Sequence, residues 1–114
     1  MPRRESELLE QLRQKTEVRA IQWEPTANSE EFVTAFRGDV SFTTSRYEDP
    51  NHYGESYKLI MRDSQNREMI TITNHFPDPA VSASVERLYT VAKNAALKVD
   101  ETLDSVLDDL RKVS

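Results

Sequence analysis

The sequence predicts an α+β domain. The expected order is an N-terminal helix, a five-stranded antiparallel meander and a long amphipathic C-terminal helix, with the helices on one face of the sheet. Three observations carry this expectation. Apolar side chains recur at every second position in runs between residues 17 and 75, the period of half-buried strands. Clusters of Gly, Pro, Asn and Asp separate those runs, as hairpin turns require. Over residues 80–113, the expected C-terminal helix, the spacing changes: Val85, Tyr89, Ala92, Ala96, Val99, Leu103, Val106, Leu110 and Val113 alternate steps of four and three, which is a helical stripe.

The first helix spans residues 1–16. Glu5, Glu7 and Glu10 lie towards its N-terminus and Arg13 and Lys15 towards its end, each sign matching the helix dipole. Leu8, Leu9 and Leu12 make a stripe of two turns, too short to hold a helix without docking. The sheet follows over residues 17–75. A first strand runs from Glu17, with Arg19, Ile21 and Trp23 alternating, until Pro25 stops it. The second, Glu31 to Arg37, places Phe32, Thr34 and Phe36 on one face, and Gly38-Asp39 forms a two-residue hairpin turn into the third. The third turns Val40, Phe42 and Thr44 inward. The loop from Glu48 to Glu55 leads to a fourth strand carrying Tyr57, Leu59 and Met61. The loop 63–67 leads to a fifth with Ile70 and Ile72, and within it Asn66 is best suited to a left-handed backbone. Consecutive strands with short connections form a meander. The expected core is Ile21, Trp23, Phe32, Phe36, Val40, Phe42, Leu59, Met61, Ile70 and Ile72, with Leu8, Leu12, Leu88 and Ala92 from the helices. The opposite sheet face holds Gln22, Val33, Ser41, Thr43, Lys58, Ile60, Arg62, Thr71 and Thr73, a composition that meets water.

Size and composition bound the function. The chain has 114 residues and a mass of 13.2 kDa, so residues 1–114 form one domain. A folded surface of about 6,400 Å² against roughly 19,000 Å² unfolded leaves room for one core. There is no Cys, which excludes disulfides, thiolate metal sites and cysteine nucleophiles. The two glycines, Gly38 and Gly54, stand sixteen positions apart and cannot build a phosphate-binding loop. A net charge of −5 argues against nucleic acid or an anionic membrane as the main partner. No apolar run is long enough to span a bilayer, and the acidic residues after Arg3-Arg4 do not fit a signal peptide. A cytoplasmic protein is the expectation.

Catalytic chemistry finds little support. His52 lies beside Glu48 and Asp49, and His75 lies near Asp78, but neither has a second His at ligand spacing. An enzyme built on His52, His75 and nearby carboxylates would need the two loops to meet at one end of the sheet. No nucleophile-elbow motif is present. Arg37-Gly38-Asp39 reads as a tight turn, and Trp23 as a core anchor. No cofactor or metal is expected.

The C-terminal stripe is the most informative feature. A helix of about 32 residues is roughly 48 Å long, while strands of seven residues measure about 23 Å. The sheet therefore cannot cover the whole helix. Yet Val99, Leu103, Val106, Leu110 and Val113 continue the stripe to the last residue but one. Two arrangements would hide it. The helix breaks near residues 98–100, with Asp100 capping a second helix that folds back. Or, as the preferred arrangement, the distal half packs against a second copy, making Val99, Leu103, Val106, Leu110 and Val113 a homodimer interface. Asp100, Glu101, Asp104, Asp108 and Asp109 line its outer side with no intervening base, and so offer a surface to a basic protein partner.

The segment Leu88-Tyr89, Ala92, Ala95-Ala96-Leu97, Val99-Asp100-Glu101, Leu103-Asp104, Leu107, Leu110 resembles a pattern of small uncharacterised bacterial proteins. The resemblance extends to a leucine-rich first helix, a Trp in the first strand and a Y-x-L strand before a D-x-x-x-R turn. Lys98 stands where that pattern carries Gly. The resemblance implies the architecture and no activity. The expected function is thus a non-enzymatic protein-interaction module that self-associates through the last helix. A small acidic chaperone or immunity-type protein with one protein partner is the alternative, and the histidine enzyme a third.

Overall fold

The first helix, α1, spans Arg3–Glu17, and its C-terminal end sets the path of the next segment. In the computed structural model, which describes residues 3–51, 54–75 and 78–113, Arg19 turns left-handed at φ 64°. The amides of Ala20 and Ile21 then close back on the Lys15 carbonyl at 2.8 and 3.2 Å, satisfying a carbonyl that has no partner within the helix. Thr16 Oγ1 donates to the Leu12 carbonyl at 2.6 Å and accepts from the Trp23 indole at 2.9 Å. The stretch expected to be a strand from Glu17 is therefore a loop strapped to the end of α1. Only β1, Glu24–Pro25, remains of it. Pro25 has no N–H to give, and an edge strand tolerates that.

Strands β2 (Glu31–Phe36), β3 (Val40–Tyr47), β4 (Ser56–Asp63) and β5 (Glu68–Thr73) complete one open antiparallel sheet in the order β1-β2-β3-β4-β5. The β2–β3 turn holds three residues, 37–39, because Phe36 pairs with Val40. Arg37 shares the left-handed work with Gly38, at φ 63° and 90°, so the turn is one residue longer than expected. Asn66 takes φ 65° in the β4–β5 turn. Asp63 organises that turn by accepting the Gln65 and Arg67 amides at 2.9 Å each. A bulge between Met61 and Arg62 leaves Met69 unpaired in the register and 55 % exposed.

Helix α2, Pro79–Ala96, starts on Asp78, whose carboxylate accepts the Ala80 amide at 2.9 Å, with Pro79 in the first turn where its missing N–H costs nothing. It buries Val81, Val85, Leu88, Tyr89 and Ala92. Helices α1 and α2 pack together, and the core lies between them and the sheet: Leu9, Leu12, Trp23, Phe32, Phe42, Leu59 and Ile72 join the α2 residues. Leu9 is fully buried although Leu8 was expected in its place. Leu9, Leu12 and Thr16 share one helical face, and Leu8 packs at its edge. Ile21, Val40, Met61 and Ile70 pack against the core only in part, and Phe36 is 45 % exposed. Phe36 lies at the end of β2, in ring contact with Phe42 but at the margin of what the helices cover.

The C-terminal helix divides in two, at the edge of the 98–100 region where the sequence allowed a break. Leu97 and Lys98 interrupt it, and α3 covers Val99–Lys112. The opposite sheet face is drier than its composition suggests. Thr43, Ser45 and Ile60 are buried there. Arg62 donates to Thr43 at 3.2 Å, and the Lys58 ammonium sits 5.0 Å from the Tyr47 ring centre.

Candidate functional site

The break before α3 has a specific backbone cause. Lys98 adopts φ 53°, ψ 46°, and its amide donates to the Ala95 carbonyl at 3.3 Å, while the Leu97 amide donates to Lys93 at 3.0 Å. These bonds end α2. The Lys98 carbonyl then accepts the Thr102 amide at 3.0 Å and begins α3. A left-handed residue at a helix end is normally Gly, and Lys98 occupies that place at a steric cost. The side chain of Asp100, expected as the cap, lies outside the described residues. The N-cap position is Lys98, with no side-chain cap.

Because of that break, α3 leaves the body instead of lying on the sheet. Its apolar stripe is uncovered: Val99 is 40 % exposed, Leu103 53 %, Val106 47 %, Leu107 39 %, Leu110 61 % and Val113 74 %. Leu97, at the break, is also exposed. The stripe does not fold back onto the core, so the intramolecular arrangement considered from the sequence is absent. The molecule extends 57 × 36 × 27 Å with a radius of gyration of 15.8 Å, against about 13 Å for a compact chain of this length. Its accessible surface of 7927 Å² exceeds the roughly 6,400 Å² of a compact monomer by about 1,500 Å².

The back of α3 is acidic. Glu101, Asp104, Asp108 and Asp109 are all exposed, and Arg111 pairs with Asp108 at 3.3 Å. Arg111 and Lys112 occupy the last turn, where the dipole favours cations. At the foot of α3 an open cleft of about 600 Å³ is walled by Thr16, Glu17, Trp23, Val91, Lys98 and Glu101, among others. A smaller apolar groove of about 270 Å³ runs between α1 and the sheet, floored by Leu8, Leu12, Ile21, Phe36 and Phe42 with Lys15 alongside.

The histidine site is not assembled among the described residues. His52 lies outside them. His75 is exposed after β5, and its Nε2 lies 2.8 Å from Ser56 Oγ, whose side chain is fully buried. No group of His, Asp and Glu among the described residues could hold a metal ion. No described helix is long and apolar enough to cross a membrane. Trp23 is 3 % exposed and belongs to the core.

One polar network went unforeseen. The Tyr89 hydroxyl donates to Glu30 at 2.7 Å, Glu30 pairs with Arg46 at 2.8 Å, and Arg46 pairs with Glu55 at 2.8 Å. Tyr57 donates to Glu55 at 2.6 Å. The Tyr89 hydrogen bond, followed by that of Arg46, holds the Glu30 carboxyl below its ordinary value, while burial pushes the Tyr89 hydroxyl up. The network ties α2 to the sheet. Its one sequence signal was Arg46, which continues the inward parity of Val40, Phe42 and Thr44. The exposed stripe of α3 therefore remains the surface with the least internal explanation. Compared with protein-family models, with curated proteins and with solved structures, the chain matches none.

Proposed function

We propose that the protein is a non-enzymatic interaction module that self-associates through α3, burying Val99, Leu103, Val106, Leu110 and Val113 of each copy against the other. The observation that carries this reading is the continuous exposed stripe on a helix whose main packing partner among the described elements is α2. Six apolar side chains 39–74 % exposed present about 500 Å² per chain, near the upper end of what monomers leave open. Two such stripes facing one another bury about 1,000 Å², the smallest area typical of a specific interface. The exposed acidic back of α3 favours a second reading, a basic protein partner, and remains available when the stripe is paired. Light scattering across the micromolar range tests the main reading. A mass twice that of the chain is expected at high micromolar concentration, and a monomer there refutes it.

A further inference from the structure

We propose that the second copy meets α3 in the antiparallel sense. The inference rests on the self-association proposed above and adds the direction of the partner.

Three features point the same way. The first is the order of the stripe. Spacings of four and three place Leu103 and Leu110 at the a positions of a heptad and Val99, Val106 and Val113 at the d positions. A parallel two-stranded coil prefers the reverse, β-branched residues at a and Leu at d. Antiparallel pairing sets each Leu against a Val, so every layer combines one large and one small side chain.

The second is charge. Glu101 and Asp104 lie in the first half of α3, and Arg111 and Lys112 in its last turn. A parallel pair gathers acid at one end and base at the other. These side chains stand on the back of α3 and do not face the partner, but an antiparallel pair sets the two basic ends at opposite ends of the assembly. It also opposes the two helix dipoles.

The third is bulk. The molecule is 36 and 27 Å across its shorter axes, whereas paired helices run about 8–10 Å apart. In a parallel pair both bodies leave from the same end of two closely spaced helices and crowd one another. In an antiparallel pair they leave from opposite ends, about 21 Å apart along the axis.

The chain has no cysteine, so single cysteines report direction directly. Val99→Cys and Val113→Cys are exposed positions at the two ends of the stripe. Each variant is treated alone, and the two are treated together after co-refolding, with a flexible bis-maleimide spanning about 10 Å. Antiparallel pairing brings Val99→Cys level with Val113→Cys to within about 6 Å along the axis, while like positions stand at least about 15 Å apart. Cross-linked product is expected in the mixture and not with either variant alone, and mapping the linked peptides identifies it. Efficient self-linking of each variant alone overturns the direction and leaves self-association standing. A tetramer mass with self-linking does the same. Absence of linking together with a monomer mass overturns both proposals. Melting curves matching the parent chain show that both variants are folded.

Discussion

Replacing Leu103 and Leu110 together by Glu separates assembly from folding, because both side chains are already half in water in the single chain. Leu103 is 53 % and Leu110 61 % exposed. Completing the burial of a half-exposed Leu contributes about 1–1.5 kcal/mol, so the four leucines of a dimer contribute about 5 kcal/mol. Losing that weakens association by about 10⁴-fold in Kd, before the cost of placing four carboxylates in the interface. The body should lose almost nothing, since substitutions at exposed positions usually lie within about 0.5 kcal/mol. Sedimentation velocity of parent and variant at matched high micromolar concentration reads the first effect. Urea unfolding followed by Trp23 fluorescence, at a concentration where the parent is also a monomer, reads the second. The expected result is a monomeric variant with an unchanged monomer midpoint. A variant whose body unfolds would mean that α3 packs on its own chain, and the reasoning fails. A variant that keeps the parent's mass moves the interface off this stripe.

Phe42→Ala should cost about 3–5 kcal/mol, because Phe42 is 4 % exposed within the core, whereas Phe36→Ala, at 45 % exposed, should cost about 1 kcal/mol; thermal melting of the two variants checks the contrast. Lys98→Gly should relieve the left-handed strain at φ 53° and stabilise the junction by up to about 1 kcal/mol, while Lys98→Val should weaken it. Slower amide exchange over the first turn of α3 in the Gly variant is the readout. Acidification should destabilise the fold. Asp63, through the Arg67 amide first, and Glu30, through Tyr89 first, have carboxyls held below their ordinary values. A lowered folded pKa gives stability that is present above the ordinary value near about pH 4 and is lost as pH falls through the folded value. Urea midpoints at neutral pH and near pH 3 should differ, and by less in Asp63→Asn.

Local chemistry made much of this protein legible in its sequence. Period-two runs marked β2 to β5, because alternate residues of a strand face opposite sides whatever lies beyond. Asn66 marked its own left-handed turn, whereas the cap of α2 at Asp78 emerged only with the structure. The alternating fours and threes showed that the C-terminal region is helical and carries one apolar stripe. Tertiary structure decided the rest. Ile21 and Trp23 read as strand, yet the indole bond to Thr16 and the left-handed Arg19 turn that segment into a strap on α1. Such a bond joins residues whose partnership no periodicity announces. Phe36 fits the inward pattern of β2 but lies where the helices end, and only the placement of α1 and α2 determines which inward positions receive cover. Heptad spacing runs on unbroken through Lys98, so the apolar pattern left a break near residues 98–100 as one of two arrangements, raised only by the length of the stripe against the sheet. Lys98 turns one long helix into two and leaves the stripe from Val99 to Val113 in water. Apolar spacing alone establishes the stripe; the left-handed backbone at Lys98 carries it away from the body that would otherwise cover it.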